Sequence, residues 1–226
     1  YLLEFDEGNL FSLNRFSGWD ARESGLRANL GLGWTRIDPA GWSIGLTAGR
    51  VLRSHRDEAF ADNGPIGGKS SDWLLAAHYS GSNGLAIANR ALFDDSFSLS
   101  RNELRLGWYQ PWLQVSAGYL WLDSDLREDR LEDVSELTTL AGWQITDGWW
   151  ASAETRYDFT DNRAQKAELG LQYRNECITV EMSVERRFTS SDELNAETSF
   201  DLGIRLGGFG QQKAGPGTVA RRACLR

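Results

Sequence analysis

Ala151-Ser152-Ala153-Glu154-Thr155-Arg156-Tyr157-Asp158-Phe159 puts its small or apolar residues at odd positions and its polar ones at even positions. A period of two sends alternate side chains to opposite faces, so this stretch predicts a strand with one greasy and one wet face. The pattern continues outward in both directions. Ala167, Leu169, Leu171 and Tyr173 alternate with Lys166, Glu168, Gly170, Gln172 and Arg174. Ile178, Val180, Met182 and Val184 alternate with Thr179, Glu181, Ser183 and Glu185, and Phe200, Leu202, Ile204 and Leu206 close the series. Upstream, Leu113, Val115, Ala117, Tyr119 and Trp121 repeat it, as do Trp42, Ile44, Leu46 and Ala48, and Leu26, Ala28, Leu30, Leu32 and Trp34. No amphipathic helical period stands out. The expected fold is all-β.

Length sharpens that expectation. Alternating segments are expected at 22–36, 41–52, 72–80, 84–93, 98–109, 111–122, 135–146, 148–159, 163–174, 176–188 and 197–208. These exceed the five or six residues usual in soluble strands and suit the roughly 9–11 tilted residues that cross a bilayer's hydrocarbon. Connections alternate too. Asp38–Gly41, Ser80–Gly84, Gln110-Pro111, Thr146–Gly148 and Arg174–Glu176 are tight, whereas Ser54–Ser71, Asp123–Asp133 and Thr189–Asn195 are longer and polar. Short turns at one rim and long loops at the other predict an antiparallel transmembrane β-barrel, with Trp34, Trp42, Trp73, Phe93, Trp108, Trp121, Trp143 and Trp149 as interfacial girdles. A soluble sandwich or propeller would share the alternation, but not strands this long or loops sorted in phase.

Composition excludes several classes. The 226 residues carry 24 Lys+Arg against 32 Asp+Glu, a formal charge of −8, unlike the basic face of a nucleic-acid binder. With 41% apolar residues, disorder is not expected, and 2 cysteines cannot build a disulfide mini-domain. No run of about 18 apolar residues predicts a membrane-spanning helix. Tyr1–Asp6 lacks the pattern of a signal peptide, so the chain is expected to be cytosolic, already processed or part of something longer. Single-chain bacterial barrels close with even strand numbers. About eleven strands, with Tyr1–Phe5 as the end of another, therefore predict the C-terminal portion of a larger barrel, one that would not insert alone because an open edge leaves backbone groups unsatisfied in lipid.

Two stretches are more particular: Asn14-Arg15-Phe16-Ser17-Gly18-Trp19-Asp20, and Leu171-Gln172-Tyr173-Arg174-Asn175-Glu176-Cys177 with its following strand ending Glu185-Arg186-Arg187-Phe188. They resemble the C-terminal half of the LptD family, the lipopolysaccharide-assembly proteins of the outer membrane. That family has Asn-Arg-aromatic-Ser/Thr-Gly-x-Asp in an early loop, here carried by Asn14, Arg15, Phe16, Gly18 and Asp20. Its late hairpin reads Leu-x-(Val/Gln)-Tyr-x-x-Cys, with two residues before the cysteine where this chain has three. The resemblance spans residues 1–209 and leaves 210–226 as a periplasmic tail.

What the resemblance implies is transport of lipopolysaccharide into the outer leaflet of the cell outer membrane, without enzymatic activity. It implies a plug lipoprotein of the LptE type inside the barrel, and a periplasmic lipopolysaccharide bridge protein reached through an N-terminal domain outside this chain. Its lateral opening would make the last strand, with Phe200, Leu202, Ile204 and Leu206, one lip of a gate. It also implies disulfides from the late hairpin, so Cys177 is a candidate, with Cys224 either replacing a second family cysteine or pairing with Cys177.

A wet lumen lined by Arg27, Asn29, Glu154, Arg156, Glu168, Gln172, Arg174, Glu181 and Glu185 could pass a charged sugar head, although any barrel lumen is polar. The acids of Asp123–Asp133 could bind divalent cations, or simply solvate a loop. Glycines such as Gly31, Gly33, Gly45 and Gly49 would relieve crowding on the inner wall. His55 and His78 stand in no recognisable catalytic arrangement, and neither metal-ligand spacing nor a phosphate-cradling loop is present. No cofactor, metal or nucleic acid is expected. A small-solute porin and a barrel enzyme acting on lipid or peptide remain the alternatives.

Overall fold

The computed structural model describes residues 5–12, 15, 24–56, 66, 68–124, 130–189 and 196–207. Among them are eleven strands: β1 (Arg27–Ile37), β2 (Ser43–Arg53), β3 (Trp73–Ser80), β4 (Leu85–Phe93), β5 (Leu99–Gln110), β6 (Leu113–Leu122), β7 (Val134–Thr146), β8 (Trp149–Asp158), β9 (Arg163–Arg174), β10 (Ile178–Arg187) and β11 (Thr198–Leu206). They form one sheet in chain order, every neighbour antiparallel, with β1 and β11 at its two edges. No described helix is long and apolar enough to cross a membrane, which has no bearing on a β-barrel.

Register carries the alternation across the sheet. Trp108 pairs with Val115, Val115 with Ala141, Ala141 with Ala153, Ala153 with Leu169, Leu169 with Val184 and Val184 with Phe200. On the opposite face Glu154 pairs with Glu168, Glu168 with Glu185 and Glu185 with Ser199. The apolar row therefore crosses seven consecutive strands, β5–β11, and the polar row the last four, β8–β11. A slip of one residue in any pair would exchange the two faces, which is why register is so strongly specified.

Strand ends differ from the sequence expectation where turn chemistry intervenes. β1 starts at Arg27 rather than 22, because Gly25 at φ +82° turns the chain out of the extended region just before it. β10 starts at Ile178 rather than 176, since Asn175 Oδ1 accepts the amides of Cys177 at 2.9 Å and Ile178 at 2.8 Å and spends those residues on a turn. β11 ends at Leu206, short of 208, with a turn at Gly207.

The alternation does not foretell what covers the polar face of β1–β4. Val51, Leu74 and Leu92 lie there by register, and they are buried together with Phe5, Leu10 and Ile66. The cover is the segment Phe5–Ser12; Phe5, expected at the end of a strand, lies outside any strand and is buried in this cover instead. Leu10, fully buried, enters a socket floored by glycine. A Cβ on Gly31 would stand 2.7 Å from Leu10 Cδ2, and one on Gly49 only 2.4 Å from it. These two glycines admit a side chain from another segment, a sharper role than general relief of crowding; Gly45 likewise lies under the His78 ring.

Leu10→Ala is expected to weaken docking of this segment by about 2–5 kcal/mol, the usual cost of emptying a leucine site. Gly49→Val should expel Leu10 altogether. Both should accelerate chymotryptic cleavage at the exposed Phe11 in the folded protein, and unchanged cleavage would refute the socket.

Candidate functional site

Two charged centres stand on the polar face. The first joins β4 and β5 to the covering segment. Asp6 and Asn9 close a turn on each other, Asp6 N donating to Asn9 Oδ1 at 2.9 Å and Asn9 N to Asp6 Oδ1 at 2.8 Å. The turn presents Glu7 to Arg90, whose Nε and Nη2 donate to the two carboxylate oxygens at 2.8 and 3.1 Å, a bidentate fork. Arg90 Nη2 is also 3.7 Å from Asp6, and Arg90 Nη1 is 3.3 Å from Glu103. Glu103, 12% exposed, additionally accepts from Arg101 and lies 3.5 Å from Arg105. A cavity of about 240 Å³ opens between Phe5, Asp6, Arg90, Arg101, Glu103 and Arg105. The Arg90 guanidinium holds the Glu7 carboxyl below its ordinary range, against an opposing push from partial burial.

The second centre lies on β8–β10. Lys166 Nζ is 3.3 Å from Glu154, 3.0 Å from Glu168 and 3.3 Å from Glu185, and Arg187 reaches Glu185 at 3.3 Å. Nearby, Gln172 donates to Glu181 at 2.7 Å, and Arg205 also binds Glu181. A wider cavity of about 700 Å³ borders this wall, between Trp150, Gln172, Arg174, Glu181 and Asp201.

At one rim, Arg50 ties two loops together on the apolar side. It donates to Ser71 O at 2.7 Å and to Asp95 Oδ1 at 2.7 Å, and it lies over the Trp73 ring at 4.7 Å. Hydrogen bonding from Arg50 lowers the Asp95 pKa, while burial raises that of Asp72 despite a hydrogen bond from Ser100.

The residues expected to line a lumen share the polar face, but they fall into separate places. Arg27 and Asn29 lie on β1 opposite Arg53 and Val51; Glu154, Glu168 and Glu185 meet at Lys166; Gln172, Arg174 and Glu181 border the large cavity. Arg156 is 3.9 Å from Glu136. Of the early motif only Arg15 lies among the described residues; Asn14, Phe16, Gly18 and Asp20 lie outside them. Arg15 is buried, donates to Leu10 O at 2.5 Å and approaches the Phe5 ring, so it braces the covering segment. Phe200, Leu202, Ile204 and Leu206 project from the apolar face of β11 and are 57–79% exposed. Cys177 is disulfide-bonded; Cys224 and the tail lie outside the described residues.

Sequence reasoning missed Arg90, Arg101, Glu103 and Arg105. The signal was present as Arg101, Glu103 and Arg105 at every second position of one strand, but nothing local tied them to Asp6 and Glu7. His78 stands over Gly45, and Ser54 Oγ lies 2.9 Å from His55 Nδ1 in an exposed neighbouring pair. Among the described residues no group of His, Cys, Asp or Glu is arranged to hold a metal ion. Asp125–Asp129 of the acidic loop lie outside them.

A family model described as LptD, LPS transport system D, matches residues 1–149 of the 226. The chain belongs to the LptD family. The match takes in the early loop motif and stops short of the late hairpin around Cys177. Similarity extends to the LPS-assembly protein LptD of Idiomarina loihiensis, 31% identical over 81 residues. That alignment covers 33% of this chain and 11% of the relative, so the chain spans a small part of the length of an LptD protein.

The lowered Glu7 pKa gives the covering segment of this LptD-family chain an acid limit. A carboxyl depressed in the folded state contributes stability above its unfolded pKa and loses it as pH falls through the folded value. A fluorophore on Gly8→Cys should therefore report release only when pH drops below the usual glutamate range. Glu7→Gln should abolish that transition, and a transition that persists in Glu7→Gln would refute the assignment.

Proposed function

We propose that this chain is a stretch of the wall of an outer-membrane barrel that delivers lipopolysaccharide to the outer leaflet. The observation carrying this is the LptD-family match, falling on a sheet with one apolar and one polar face. Lipopolysaccharide joins acyl chains that require hydrocarbon to a charged saccharide that does not. A two-faced sheet offers both environments: Leu169, Met182 and Phe200 on one side, and Glu154, Lys166 and Gln172 on the other. Strands of 8 to 13 residues suit a tilted crossing of the bilayer.

In this reading residues 1–209 are barrel and 210–226 a periplasmic tail. β11 forms one lip of a lateral exit, with Phe200, Leu202, Ile204 and Leu206 facing lipid. A plug lipoprotein of the LptE type would occupy the polar side, and a periplasmic bridge protein would load the substrate through a domain outside this chain. Cys177 would tie the late hairpin covalently, within the oxidising periplasm. The protein's part is positioning and passage, with no bond made or broken.

Depleting the intact protein should remove lipopolysaccharide from the cell surface while leaving small-solute uptake unchanged; the reverse result would favour a porin. The membrane assignment has its own test. Leu169→Arg, on the apolar face midway along β9, should destabilise insertion by about 2–4 kcal/mol, whereas Ser183→Arg on the polar face should be tolerated. Equal tolerance of both would place Leu169 out of contact with lipid.

A further inference from the structure

The Arg90–Glu103 centre has an imbalance that its own covering segment corrects. Three guanidiniums, of Arg90, Arg101 and Arg105, converge on the single wall carboxylate of Glu103. Asp6 and Glu7 bring the carboxylates to the same number. Without them the wall would present three positive groups against one negative, in a half-enclosed recess where such charges interact more strongly than in bulk water. The hold of Glu7 on Arg90 is the two-pronged geometry that a guanidinium also offers to phosphate. Arg105 is 73% exposed, so one guanidinium faces the cavity largely free of protein cover.

The segment carrying these carboxylates is suited to exchange. Its backbone bonds from Asn9 N to Asp6 O and from Ser12 N to Asn9 O close within it. Among the described residues its grip on the wall comes from side chains: Phe5 and Leu10 packed with Val51, Leu74 and Leu92, and Asp6 and Glu7 on Arg90, with Arg15 bracing Leu10 O. The adjoining cavity of about 240 Å³ leaves room for a phosphate group beside the arginines.

We propose that Arg90, Arg101 and Arg105 form a binding site for a phosphorylated saccharide, which Asp6 and Glu7 occupy as an internal surrogate until the ligand displaces them. This rests on the reading of the polar face as the path of a charged headgroup, and it assigns that path a specific stop. Phosphate binding at the arginines and withdrawal of the Asp6–Glu7 turn are then one event.

The test uses the intact protein purified in detergent, with a fluorophore on the exposed Gly8→Cys, titrated with glucosamine 1-phosphate, glucosamine and inorganic phosphate, and with calorimetry on the unlabelled protein. Glucosamine 1-phosphate is expected to bind saturably and shift the label, while glucosamine does neither. Glu7→Gln, which removes the competing carboxylate, should tighten calorimetric binding at least fivefold; Arg101→Ala and Arg105→Ala should each weaken it at least tenfold. A heat-induced shift in electrophoretic mobility equal to that of the wild type shows that each variant retains the fold. Inorganic phosphate binding as tightly as the sugar phosphate would overturn the saccharide and leave free phosphate as the ligand. Absence of saturable binding in both wild type and Glu7→Gln would overturn the site and make the cluster a permanent latch. Loss of surface lipopolysaccharide on depletion is scored separately, so this inference can fail while the transport reading stands, and the converse.

Discussion

A peptide backbone in hydrocarbon has no water to bond to, so each strand must take its hydrogen bonds from its neighbours. The meander from β1 to β11 meets that requirement strand by strand, through continuous antiparallel ladders. Once the ladders are in place, side chains have only two directions available. Leu169 and Glu168, adjacent in the chain, must face opposite environments, and the register with β8 and β10 makes their neighbours do the same. Strand length, turn chemistry and face chemistry all follow from this constraint. The edges of β1 and β11 show its other side, since their outer ladders are unpaired among the described residues and call for further strands.

The polar face is not uniformly wet. Over β1–β4 it is dry, because Phe5–Ser12 and Ile66 cover Val51, Leu74 and Leu92. Over β8–β11 it is open and charged, with Lys166 amid three carboxylates and the larger cavity alongside. The Arg90–Glu103 centre sits beside the covered part. A headgroup moving along this wall would meet an acidic stretch with its own lysine, and arginines masked by Asp6 and Glu7. The covering segment thus links the small hydrophobic core to the chemistry of the face: Leu10 sets its position, and Glu7 sets its charge.

Much of this was legible beforehand. The eleven strands were readable because a period of two over ten residues is hard to produce otherwise, and their observed edges lie within a few residues of expectation except at β1. There Gly25 ends the extended chain sooner than hydropathy suggests, since hydropathy carries no record of φ. Arg15 stood out within a family motif, but its job of bracing Leu10 was not readable from the motif. The arginine cluster went unnoticed because Arg90 and Glu7 are 83 residues apart, and no local pattern marks a partner at that distance.

The residue order by itself determined which side chains share a face, because alternation in an extended chain depends only on parity. It also determined where most hairpins turn, since Asp38-Pro39-Ala40-Gly41 and its counterparts act within four or five residues. Tertiary structure alone decided which part of the polar face is covered, why Gly31 and Gly49 must lack side chains, and which carboxylates meet which arginines. Those outcomes depend on a loop folding back across several strands. The contacts that hold it join residues far apart in the chain, whose approach is fixed by the twist and register of the whole sheet rather than by any short stretch of it.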